Sequence, residues 1–193
     1  MGHSAGGLLA LTTVWSLPPN PLARLSTFTA ASTCPIHVGL RRLSAFAQIP
    51  DQPEEFMAKI HQGRQAITSL PMFVDGKPAV SDPQGAWYIS QVKNGTSVSS
   101  IVPDGDYLCA DATARPHKGF PPTYLLHGKP DVFVDYKLSV RAYSELRGLG
   151  VECEIVIGDE IGHGFDQQIQ DEEGDPLFAK YVIPAFEFIE RRI

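Results

Sequence analysis

Three residues of this chain have the side chains and the spacing for acyl transfer: Ser4, Asp131 and His163. Ser4 sits in Gly2-His3-Ser4-Ala5-Gly6, a G-x-S-x-G pattern. Glycines two positions before and after the serine let the backbone make a strained turn from strand to helix. A serine hydroxyl is a poor nucleophile until an imidazole removes its proton during attack. A carboxylate on the far ring nitrogen then fixes the tautomer and stabilises the imidazolium that forms. The N–H of Ala5, directly after the serine, would supply one donor of an oxyanion hole.

The elements that must position these groups are partly legible. Asp131 follows the Pro-bounded run Thr123-Tyr124-Leu125-Leu126 and the pair His127-Gly128, which reads as a short buried strand ending in a loop. A helical pattern covers residues 136 to 149 and closes at Gly150 in the C-cap region. Residues 151 to 157 alternate like a strand, and Gly162-His163-Gly164-Phe165-Asp166 places the histidine in a glycine-flexible loop. The 32 positions from Asp131 to His163 leave room for one helix and one strand. Near the start, the apolar stretch from Leu8 fits a buried helix over residues 5 to 17, ending before Pro18-Pro19. Residues 22 to 33 form a weak candidate strand. Residues 53 to 70 read as a helix with Glu54 and Glu55 in a favourable first turn, and Ala86 to Ser90 as the start of a second short one. The last helix carries Leu177, Phe178, Tyr181, Val182, Ala185, Phe186 and Ile189 on one face, with a kink expected at Pro184.

Serine, then aspartate, then histidine is the chain order of α/β-hydrolase triads. The chain resembles the C-terminal part of an α/β-hydrolase, most similar to the lipase/esterase-like (hydrolase-3 and carboxylesterase-like) branches. The resemblance rests on G-H-S-A-G at the start, on the segment from Pro121 to Val134, and on G-H-G-F-D at residues 162 to 166. It implies Ser4 as nucleophile, Asp131 as acid and His163 as general base, with no cofactor and no metal. It further implies that residues 36 to 118 form a cap-like insertion where acyl selectivity is set. Residues 1 to 35 then hold the elbow, its helix and the next strand, and residues 119 to 193 the acid loop, histidine loop and final helix. Relatives carry an HGGG-type oxyanion loop and a strand upstream of the elbow. Here only Met1 precedes Gly2, so the expectation is a single domain truncated at its N-terminus, with no strand feeding the turn.

Composition agrees with an ordinary globular chain of 193 residues, 43% hydrophobic and 20% charged. A net charge of −6, without any basic stripe, argues against nucleic-acid binding. No stretch is long enough to span a membrane. Cys34, Cys109 and Cys153 are odd in number and far apart, so they read as free thiols of a cytoplasmic protein.

Other residues compete for roles. His3 lies beside the serine, where a structural part is the simpler reading. His127 more simply orders the acid loop than acts as a base. Asp135 could replace Asp131 as the acid, although Asp131 fits the spacing better. Asp166 reads as a loop-bonding carboxylate. Asp104 and Asp106 flank Gly105 without the remaining ligands of a calcium loop. Asn94-Gly95-Thr96 is a glycosylation sequon by spelling only. Phe46, Phe56, Phe73, Trp87 and Tyr88 could line an apolar pocket or simply pack the insertion.

The expected architecture is therefore an incomplete α/β-hydrolase fold, with a mostly parallel sheet flanked by helices and an irregular cap. Two functions stay open. One is a serine esterase working through an acyl-enzyme on a small hydrophobic ester, in the manner of secondary-metabolite enzymes. The other is a truncated, non-catalytic relative serving as a binding partner. An uncovered sheet edge beside Ser4 would favour self-association.

Overall fold

The computed structural model describes residues 2–3, 27–30, 46–62, 73–74, 77–102, 104–107, 118–172 and 174–192. Two compact units emerge, one from Met1–Ile36 with Tyr107–Ile193 and the other from His37–Asp106.

The first unit is a mixed α/β structure built on a parallel sheet. Its strands are β1 (Gly2–His3), β2 (Thr27–Ala30), β5 (Thr123–Gly128) and β6 (Cys153–Gly158), in the order β1-β2-β5-β6. Every neighbouring pair is parallel, with Gly2 opposite Thr29, Thr27 opposite Thr123, and Thr123 opposite Cys153. The expectation that no strand leads towards Ser4 is corrected here, since two residues are enough to pair with β2.

β5 is buried along its whole length, as its uninterrupted apolar run requires of a central parallel strand. Side chains on its two faces meet different partners. Leu125 packs with Ala142 and Leu146 of the helix Lys137–Gly148, together with Phe120, Val151 and Cys153. Tyr124 and Leu126 point the other way, into Ile161, Tyr181, Ala185 and Phe188. The helix over Lys137–Gly148 ends where Gly150 takes a left-handed φ of 77°, in the position the sequence reserved for it.

At the C-terminal end residues 176–190 are helical without a break, widening into a π-helical turn at Phe178–Val182 before the α-helix Ile183–Glu190 that carries Pro184. Proline lacks an N–H, and its ring collides with the carbonyl four residues earlier, so the turn before it opens.

The second unit departs further from expectation. The described part of the helix read over residues 53 to 70 is α-helical across Glu54–Met57 and 3₁₀ across Ala58–Gln62, while residues 63–70 lie outside the described residues. No residue of Glu54–Met57 is buried, and its N-cap Pro53 offers no side-chain acceptor. Conversely, the short helix expected at Ala86 is the longest among the described residues of this unit, Pro83–Asn94. Its caps account for the length. Oδ1 of Asp82 accepts the N–H groups of Gln84 (2.8 Å) and Gly85 (3.2 Å), Pro83 opens the first turn, and Gly95 ends it at φ 72°. A short helix at Ser97–Ile101 and a two-stranded pair, β3 (Phe73–Val74) with β4 (Lys77–Pro78), complete the unit. Nζ of Lys93 ties Ile49 and Asp51 to the long helix, at 3.0 Å and 2.8 Å.

Among the described residues, no helix is long and apolar enough to cross a membrane. Cys153 is a buried free thiol, whereas Cys34 and Cys109 lie outside the described residues.

Candidate active site

The site is built from the loops that leave the C-terminal ends of β5 and β6. The loop after β5 starts with a turn in which Asp131 donates its N–H to the Gly128 carbonyl at 3.2 Å. Asp131 then folds back on its own loop. Its Oδ1 accepts the backbone N–H groups of Phe133 (2.8 Å) and Val134 (2.9 Å). This local cage leaves Oδ2 pointing outwards, where Nδ1 of His163 meets it at 2.9 Å.

His163 reaches that position because its loop crosses directly over the end of β5. A Cβ on Gly128 would lie 1.8 Å from the Ile161 carbonyl oxygen, so only glycine permits the crossing. Ile161 is 1% exposed, and its side chain fills the space that a Cβ on Gly158 would need. Beyond His163, Gly164 adopts φ 68° and turns the chain into the 3₁₀ segment Phe165–Gln168. The Phe133 ring packs against the His163 imidazole, with centroids 5.1 Å apart and planes at 49°.

The electrostatics follow from this geometry. The Asp131 side chain is 3% exposed, and that of His163 is 22% exposed. Burial pushes the Asp131 carboxyl upwards, but hydrogen bonds from His127, His163 and the Val134 amide outweigh it. The net effect holds the carboxyl well below the usual carboxylate range. An ionised, buried acceptor beside one imidazole nitrogen orients the ring and fixes its tautomer. In triad chemistry the other ring nitrogen is the one that exchanges a proton with the reactant.

The competing residues make other contacts. Oδ1 of Asp135 accepts the Lys137 N–H at 3.0 Å at the start of the following helix, so it does not serve as the acid to His163. His127 is 3% exposed and bonds within the acid loop, through Nε2 to the Val134 carbonyl at 3.1 Å. Asp104 accepts the Asp106 N–H at 3.1 Å, an ordinary turn contact. Among the described residues, no cluster of three or more His, Cys, Asp or Glu side chains could hold a metal ion. Phe46 is buried at 1% and Tyr88 is 39% exposed. Ser4, Ala5 and the helix expected over residues 5 to 17 lie outside the described residues, as does the side chain of His3. The crossing of Ile161 over Gly128 and the Phe133 ring had gone unread in the sequence, although Gly128 beside a candidate acid was a visible cue.

No protein-family model matches the chain, and neither does any curated protein. Among solved structures, the chain is similar to a monoacylglycerol lipase from Paleococcus ferrophilus, at 17% identity and a TM-score of 0.41 over 98% of this chain. It is also similar to a mutant of esterase E22, at 11% identity and a TM-score of 0.44 over 97% of this chain. The chain spans 66% of the lipase and 59% of the esterase.

Proposed function

We propose that this protein is a serine hydrolase of the carboxylic-ester class, with Asp131 and His163 as its acid and base and Ser4 as its nucleophile. The observation that carries the reading is the contact between His163 Nδ1 and the buried Asp131 Oδ2 at 2.9 Å. Such a pair at the C-terminal edge of a parallel sheet is the arrangement that activates a hydroxyl. β1 runs parallel to β5 and β6, so all three strands end at the same sheet edge, and Ser4 is the residue that follows β1 in sequence. β1 lies two strand spacings, about 10 Å, from β5, with His3 level with Leu126.

In this reading Nε2 of His163 takes the Ser4 proton as the oxygen attacks the ester carbonyl. The Ala5 N–H steadies the oxyanion, and the alcohol leaves with the proton returned by His163. Water then repeats the sequence on the acyl-serine and releases the acid. The proposed substrates are small hydrophobic esters. The test is hydrolysis of short-chain 4-nitrophenyl esters by the protein and by His163→Ala. Turnover that disappears in the variant supports the reading, and turnover that survives it refutes the assignment of the base.

A further inference from the structure

Behind Asp131 lies a buried polar chain that triad chemistry alone does not require. His127 is 3% exposed on β5 and Ser139 is 0% exposed in the first turn of the helix Lys137–Gly148. Oγ of Ser139 stands 2.8 Å from Nδ1 of His127. On the opposite side of the ring, Nε2 lies 3.1 Å from the Val134 carbonyl oxygen and 3.3 Å from Oδ2 of Asp131.

The partners fix the proton. A carbonyl and an ionised carboxylate can only accept, so Nε2 must carry the hydrogen. In a neutral ring Nδ1 is then an acceptor, and the Ser139 hydroxyl is the group that donates to it. The other tautomer would aim a bare nitrogen lone pair at two acceptors while leaving Nδ1–H against a hydroxyl. Buried polar groups without partners are costly, so the surroundings select one state.

The selected state matters because of where Nε2–H points. It reaches the same carboxylate oxygen that His163 uses, and it also binds the carbonyl of Val134, whose own N–H holds Oδ1. We infer that Ser139 is a positioning residue for the acid–base pair, acting by locking His127 as an Nε2–H donor that braces Asp131 for His163. This inference rests on the reading of Asp131 and His163 as acid and base. Ser139 touches no reacting atom and acts through two others.

A serine and a histidine that merely satisfy each other would affect stability and nothing more. The experiment therefore reads the site itself. Nitrogen-15 NMR of the ring-labelled protein reports the His127 tautomer, and the low-field Nδ1 proton of His163 reports its bond to Asp131. The expected results are an Nε2–H tautomer at His127 and a His163 proton signal that Ser139→Ala broadens or removes. Phosphonylation of Ser4 should also slow by about tenfold in that variant. Protonation of His127 at Nδ1, or at both nitrogens, overturns the inference even if Ser139→Ala fails to fold. So does a folded Ser139→Ala protein with an unaltered His163 signal. The two claims separate cleanly. An unlabelled Ser4 with a responsive His163 signal refutes the hydrolase alone, and normal labelling with an unresponsive signal refutes the role of Ser139 alone.

Discussion

Oδ2 of Asp131 and Nδ1 of His163 lie 2.9 Å apart although 32 positions separate them in the chain. The helix and strand between them return the chain to the same sheet edge, and the Ile161 backbone passes over Gly128 to close the distance. Both partners are thus fixed by packed elements before any substrate arrives.

Asp131→Asn should fold and yet lose nearly all activity. A carboxylate presents two acceptors, and both oxygens are in use here. An amide whose oxygen keeps the Phe133 and Val134 N–H groups turns its NH₂ towards His163 and His127, where it meets donors. The expected loss in ester turnover is about 10³–10⁴-fold, checked by steady-state kinetics with circular dichroism to confirm folding.

The same residue should dominate the acid limb of stability. Its folded-state pKa is depressed, so the unfolded chain takes up the proton first as the pH falls. The stabilisation is present above the unfolded value, about 3.9, and is lost as the pH falls through the folded one. Urea midpoints measured from pH 6 downwards should drop steeply for the native protein and less steeply for Asp131→Asn. Parallel slopes would contradict this assignment.

Gly128→Ala should be among the most damaging single changes. The new Cβ would meet a backbone oxygen at 1.8 Å, and neither strand nor loop can yield cheaply. A cost of about 3 kcal/mol is expected, a fall in Tm of roughly 10 °C. Gly148→Ala is the control. Nothing lies within 4 Å of its Cβ position at the end of the helix, so it should stabilise by about 0.5–1 kcal/mol.

How much of this was written in the sequence depends on the kind of signal. β5, the helix after it and β6 were legible because their apolar runs are bounded by Pro121-Pro122 and Gly150. Asp131 and His163 were legible from residue type and flanking glycines. The helix at Pro83–Asn94 had readable caps in Asp82-Pro83 and Asn94-Gly95, but its apolar pattern was weak and the start was placed late. Within the described part of the helix read over residues 53 to 70, the change from α-helix at Glu54–Met57 to 3₁₀ at Ala58–Gln62 is one that acidic residues in a first turn do not announce. The pairing of Gly2–His3 with β2 depends on a tertiary contact that no local pattern encodes.

Cys153 should be an inert thiol in the folded protein. Burial pushes its pKa up to about 12, and the residue is 4% exposed. In a Cys34→Ser, Cys109→Ser background, maleimide labelling at pH 8 should proceed only through unfolding. The neutral thiol also stabilises the fold below the unfolded pKa, about 8.5, a contribution lost as the pH rises towards the folded value. Cys153→Ala should therefore flatten the alkaline fall in Tm, and rapid labelling of the native chain would contradict the burial argument.

The most direct test of the central claim is reaction of the purified 193-residue chain with a fluorophosphonate probe, followed by peptide mapping. The account predicts attachment at Ser4 that vanishes in both Ser4→Ala and His163→Ala. A folded protein that takes up no probe, or takes it up equally in His163→Ala, would contradict it.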